Sequence, residues 1–257
     1  AATRTSEEPA EETTPTAGKT TTINLNGFTI TVNNNSATAA ITIPAGESRE
    51  WVLLNEPNVN WHITQEANSS VRLHIIALPD PTDISNIQQT TITVEHIESG
   101  CRTEIYGMGL LGGQQRCDIV TRVLHTVGEG YSSQLIKMVL GENAKASFRG
   151  ELKILPDAQQ VEAYQTNRNI LLSHHAEIIT EPQLEIYADD VKASHGATTG
   201  QLDESAIFYM QQRGISRDTA YRMLLGAFFD DVLSQVPDEQ TREQLIQQSM
   251  HAIDSII

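Results

Sequence analysis

From about residue 23 to residue 200 the chain reads as a succession of strands. Phe28, Ile30 and Val32 alternate with Thr29 and Thr31. Val71, Leu73 and Ile75 alternate with Arg72 and His74; Ile136, Met138 and Leu140 stand around Lys137, and Phe148, Leu152 and Ile154 follow. A period of two, rich in Val, Ile and Thr, predicts strands with one buried face. The breaks carry turn formers: Asn33-Asn34-Asn35, Asn55-Glu56-Pro57-Asn58, Gly112-Gly113, Gly128-Glu129-Gly130 and Gly141-Glu142-Asn143. This pattern fits a sandwich, a barrel or a β-solenoid, and periodicity does not choose among them. No repeat of constant length is visible, which weighs against a regular solenoid.

After residue 203 the period changes. Asp203 is placed to cap a first helix through its carboxylate, and Gly214 to end it with a positive φ. Ser216 caps a second helix, in which Ala220, Met223, Leu224, Ala227, Phe228 and Val232 form one apolar stripe. Pro237 closes it. A third helix from about Asp238 carries Ile246, Met250, Ile253 and Ile257 on one side. Some 50 residues of helix are too few for an independent core, so this region is expected to dock on the strands, on a partner, or on both. Residues 1–22, rich in Thr, Glu, Pro and Ala, bury too little to offset their ordering entropy and read as a flexible tail. The expected division is a tail at 1–22, a β core at 23–202 and a helical region at 203–257.

Charge and cysteine usage narrow the function. Seventeen basic against 33 acidic residues give a net charge of −16. Such a surface repels phosphate backbones and anionic membranes, so neither nucleic acid nor membrane is expected as a partner. No apolar run approaches a membrane span, because Lys137 interrupts Leu135–Leu140. The N-terminus shows no secretory signal, and the cytoplasm is the expected compartment. Cys101 and Cys117, 16 positions apart, suit neither a disulfide framework nor a zinc site and read as reduced, buried thiols. Sequons at Asn34 and Asn68 carry little weight without a secretion signal. Gly18-Lys19-Thr20 is half of a phosphate loop whose required glycine is Thr13, so no ATP site is expected. No serine elbow or Cys–His pair suggests catalysis.

The richest stretch is 184–215, LEIYADDVKASHGATTGQLDESAIFYMQQRGI. A strand run from Leu184 to Tyr187 enters the pair Asp189–Asp190, and a turn is predicted at Ser194-His195-Gly196. The adjacent aspartates point to opposite faces of a strand and read as solvated. His195, beside glycine and near two carboxylates, is a candidate ligand or proton carrier. In NRNILLSHHAEIITEP, His174 and His175 are predicted to share a strand, one inward and one outward. His125 reads as structural. On the first helix Tyr209 and Arg213 share a face, which suits an interface anchor, whereas Phe208 suits packing on the β domain.

The run ADDVKASHGATTGQLDE followed by IFYMQQRGI resembles the SufB/SufD family, scaffold proteins of iron–sulfur cluster assembly, and its wording is closer to SufD than to SufB. The resemblance is strong from about 118 to 235 and weaker before. It implies a mainly β fold, a right-handed parallel β-helix with a small C-terminal helical region. It implies a non-catalytic scaffold that pairs with a SufB-like subunit through the end of its β-helix and binds the SufC ATPase through its C-terminal helices, by way of Phe208, Tyr209 and Arg213. His195 then lies at the contact with SufB, where a cluster is built. The family often reads VKCSHG where this chain has Ala193, so a thiolate is lacking there. The resemblance therefore implies no cofactor in the isolated chain, metal at His195 only in the complex, and a transient iron–sulfur cluster in the assembly. Relatives usually begin with a helical domain, which is expected to be absent here. Two other classes stay open: a carbohydrate-active β-helix enzyme, and a self-associating β protein. Pairing of the isolated chain into a homodimer is also left open.

Overall fold

The computed structural model describes residues 20–25, 28–33, 36–55, 59–79 and 87–256. Most of the expected tail, the Asn34 sequon, residues 56–58 of the Asn55 turn and Ile257 lie outside the described residues. The strands are β1 (Thr20–Leu25), β2 (Phe28–Asn33), β3 (Ser36–Ile43), β4 (Ser48–Leu54), β5 (Val59–Gln65), β6 (Ser70–Ala77) and β7 (Ile87–His96). They continue as β8 (Arg102–Leu111), β9 (Arg116–His125), β10 (Tyr131–Leu140), β11 (Lys145–Ile154), β12 (Val161–Leu171), β13 (Glu177–Ile186) and β14 (Val191–Gly200). β1 starts at Thr20, slightly before the expected boundary.

From β3 onward each strand pairs in parallel with the strand two places later. Two sheets result, β1-β2-β3-β5-β7-β9-β11-β13 and β4-β6-β8-β10-β12-β14, and the chain steps from one to the other at every corner. This is a parallel β-solenoid, with the apolar positions of both sheets turned into a shared lumen. The repeat that the sequence hides is visible in the register. Ser48 pairs with Ser70, Ser70 with Arg102, Arg102 with Tyr131 and Tyr131 with Glu162, so successive turns take 22, 32, 29 and 31 residues. The corners absorb these differences. Several place a residue at positive φ, among them Asn55, Asn68, Glu129 and Glu142.

Three helices follow: α1 (Glu204–Gln211), α2 (Arg217–Leu233) and α3 (Glu239–Ile256). Their caps are those expected: Asp203 accepts from the Ser205 N–H, Ser216 accepts from the Thr219 N–H, and Gly214 has φ +81°. α2 and α3 lie across the outer face of the second sheet. Leu225, Phe229, Val232, Leu245 and Ile253 meet Ile76, Met108, Leu110 and Val139 in a second apolar core. The second halves of β6, β8 and β10 are consequently buried on both faces.

The predicted stripes are rotated. α2 buries Ala220, Leu225, Phe229, Val232 and Leu233, whereas Met223 is half exposed. α3 buries Leu245, Ser249, Ala252 and Ile253, with Ile246 on its outer side. Lys137 stands within β10, as the alternation predicts. It lies buried under α2, its ammonium 2.5 Å from Asp231 and donating to the Phe228 carbonyl at 2.6 Å. Among the described residues no helix is long and apolar enough to cross a membrane.

Candidate site at the open end of the solenoid

The last turn of the solenoid ends both sheets. Among the described residues, β13 and β14 each have one strand neighbour and one free edge. His195 lies on β14, within a continuous parallel ladder against β12, and not in a turn. Gly196 next to it lacks the positive φ a turn would demand and has open space where a Cβ would stand. His174 and His175, expected on a strand, instead occupy an exposed corner after β12. Asp189 and Asp190 are solvated at the bend before β14, where the Asp190 backbone is held by Gln159 and Gln160.

Alternation fixes where His195 points. On β12 the residues Val161, Ala163, Gln165, Asn167 and Asn169 face the lumen. Their register partners on β14 are Val191, Ala193, His195, Ala197 and Thr199. Val191 and Ala193 do pack against the lumen core, so His195 shares that face. The backbone follows the same alternation. Glu162 N–H donates to Gly130 and Tyr131 N–H to Cys101, so these residues bond backward along the solenoid. Their neighbours bond forward. On β14 the forward-facing residues are 191, 193, 195, 197 and 199, and forward is the free edge. His195 therefore presents its imidazole at the mouth of the lumen and its N–H and C=O to whatever pairs with that edge.

Beneath His195 the lumen changes character. One column of register partners reads Trp51, Leu73, Ile105, Gln134, Gln165, His195, apolar inside and polar toward the mouth. Gln134 accepts a 2.5 Å bond from Thr121, but its amide nitrogen has no partner among the described residues. Among the described residues, neither the oxygen nor the nitrogen of the buried Gln165 amide has a partner, and neither does the buried Thr180 hydroxyl. Gln165 spans the lumen to Gly150, where a Cβ would come within 2.0 Å of its amide nitrogen. Only glycine leaves that space. The next residue in the Gly150 column is Pro182, at the mouth opposite His195. Nearby, Asn169 donates to Asn167 at 2.7 Å and to the Thr199 hydroxyl at 3.3 Å.

Pro182 marks the other free edge. The Glu177 and Tyr187 N–H groups bond back to Ala144 and Ile154. By alternation residue 182 faces the open side, where proline removes no ladder bond.

The helical candidates lie apart from His195. Arg213 stacks over the Tyr209 ring at 3.5 Å, joining two of the three predicted anchors. Phe208 is 63% exposed, contrary to its expected packing on the strands; Ile207 is the buried residue of α1.

His74, His96, His125 and both cysteines are interior. His125 shares a hydrogen bond with Ser132 at 2.9 Å and His96 with Thr103 at 2.8 Å, and the two rings meet edge to face at 4.4 Å. Burial pushes His125 down to about 4 and holds His96 well below the usual imidazole range. His74 is buried against Glu50 at 2.7 Å, and burial lowers it despite that carboxylate. Cys117 is free and buried, its thiol pushed up to about 12 by burial, and burial likewise raises Cys101. Among the described residues no three His, Cys, Asp or Glu side chains gather as a metal site.

A family profile described as "SUF system FeS cluster assembly, SufBD core domain" matches residues 11–228. The chain belongs to the SufBD core family. The iron–sulfur cluster assembly protein SufD of Escherichia coli is 39% identical over 130 residues, 51% of this chain and 31% of that protein. An iron–sulfur cluster assembly SufBD family protein of Synechocystis is 35% identical over 175 residues, 68% of this chain and 38% of that protein. The chain thus spans about a third of the length of these relatives, and within the SufBD core family it is a SufD-like member. Sequence reasoning put forward His195, Phe208, Tyr209 and Arg213 as candidates. It missed Gln165 and the free edges, because only the register stacks Gln165 under His195 and only the topology shows which strands come last.

Proposed function

We propose that this chain is a non-catalytic SufD-like scaffold in iron–sulfur cluster assembly, and that its open end is the assembly surface. The observation that carries this reading is the last solenoid turn. It offers two unpaired strand edges around a polar mouth that holds His195. Unpaired edges favour addition of strands from another chain. A SufB-type subunit with its own open end would continue both sheets and bring further ligands to His195. Neutral imidazole suits iron, but useful affinity needs several ligands, and Ala193 supplies none. The cluster is thus the product of the assembly and not a resident cofactor of this chain. The exposed Phe208 and Tyr209 on α1, with Arg213 just past its end, form the contact proposed for a SufC-type ATPase.

The edge test uses a backbone group that only a partner needs. The N–H of Ala197 faces the free edge, so Ala197→Pro should leave the β12–β14 ladder intact and remove an edge donor. The variant is expected to keep the wild-type circular dichroism and melting temperature while losing co-elution with a purified SufB-type subunit. Undiminished co-elution would remove this edge from the interface.

A further inference from the structure

The outer face of the free edge carries a charge code. Outward positions on β13 are Glu177, Ile179, Glu181, Gln183 and Glu185. Directly opposite its three glutamates, on β11, stand Lys145, Arg149 and Lys153. All three pairs are formed, at 2.8, 2.7 and 2.8 Å. The terminal strand thus shows three carboxylates and no cation, and each carboxylate keeps lone pairs for a second donor. A strand added at this edge would set its outward side chains about 5 Å from this row.

We propose that β13 selects its partner by charge. It favours an edge strand with Lys or Arg at the positions facing Glu177, Glu181 and Glu185, and it disfavours a second copy of this chain. The inference rests on the pairing reading above and names the chemistry of the partner. A second copy brings nothing complementary. Its β13 would set glutamate against glutamate. Its β14 offers Lys192, Ser194, Gly196, Thr198 and Gly200 outward, a single cation that already pairs with Glu162 at 2.8 Å. A basic strand would instead set a second positive row beside the glutamates, opposite the one on β11.

The test inverts the presented row without disturbing the chain's own pairs. Lys145→Glu, Arg149→Glu, Lys153→Glu, Glu177→Lys, Glu181→Lys and Glu185→Lys are combined, so every internal pair is kept in reverse and the net charge is unchanged. Circular dichroism and melting should match wild type. Affinity for the purified SufB-type subunit, measured by titration at about 0.05 M salt, should fall at least about tenfold from three cross-strand contacts. The gap should narrow at about 0.5 M salt, where exposed pairs are screened. Equal affinity of the swapped and wild-type chains would overturn charge selection and leave the pairing reading intact. Binding by neither chain would overturn the pairing reading, and charge selection with it.

Discussion

His195 shows how far single residues can be read from sequence. Its chemistry and its place near the end of the β region were legible. Its geometry was not, because Ser-His-Gly has the composition of a turn, whereas here it runs straight along an edge strand whose free side tolerates glycine. Gln165 was illegible for another reason: nothing local says that it lies buried under that histidine. A buried amide without partners costs about 1–3 kcal/mol, so Gln165→Met should raise stability by roughly 1 kcal/mol in urea unfolding, and a loss would mean that the amide is satisfied. The buried histidines set the acid limit. Their folded values lie below the ordinary value of about 6.5, so on acidification the unfolded chain takes up protons first. Stability should be full above about pH 6.5 and fall progressively toward pH 4, the value to which burial brings His125. His125→Gln should flatten that slope in urea midpoints taken between these limits, and an unchanged slope would place the acid sensitivity elsewhere.

Among the elements, strand alternation and helix caps were legible because both depend on neighbours in sequence. The rotation of the helix stripes was not. α2 is apolar on more than one side, and the side that is buried is set by Ile76, Met108, Leu110 and Val139 on distant strands. Alternation placed Lys137 within a strand, but its burial was not legible, because its partner comes from α2, far away in the sequence. The pair is lopsided, with Lys137 3% and Asp231 54% exposed. Removing the exposed partner strands a buried cation, whereas removing the lysine leaves a carboxylate that water can solvate. Asp231→Ala should therefore destabilise more than Lys137→Met, by about 1 kcal/mol or more in denaturant midpoints; the reverse order would show that Lys137 reaches water. Because α2 and α3 cover a core, truncation at 203 would expose apolar strands and confuse folding with binding. The combined change Phe208→Ala, Tyr209→Ala and Arg213→Ala spares that core. It should retain the fold and lose co-purification with a SufC-type ATPase, and retained binding would move that contact off α1.

On the scale of the whole molecule, the sequence narrowed the fold to a few β architectures, and the family resemblance selected the solenoid that the structure has. A regular repeat was hidden because turns of 22 to 32 residues differ only at their corners, where the register is indifferent to loop length. Direction along the solenoid was equally hidden, and with it the placement of His195 on the last turn. One lumen column passes from Trp51 to His195, from apolar to polar, and ends at the last turn. The central claim is that His195 works only when that end is occupied. The direct measurement reconstitutes the chain with SufB-type and SufC-type subunits, iron and a sulfide source, and follows cluster formation by absorbance for wild type and His195→Ala. The account predicts melting unchanged to within about 0.5 kcal/mol, as for an exposed side chain, together with a marked loss of cluster. Equal cluster yields, or a large loss of stability in the variant, would contradict it.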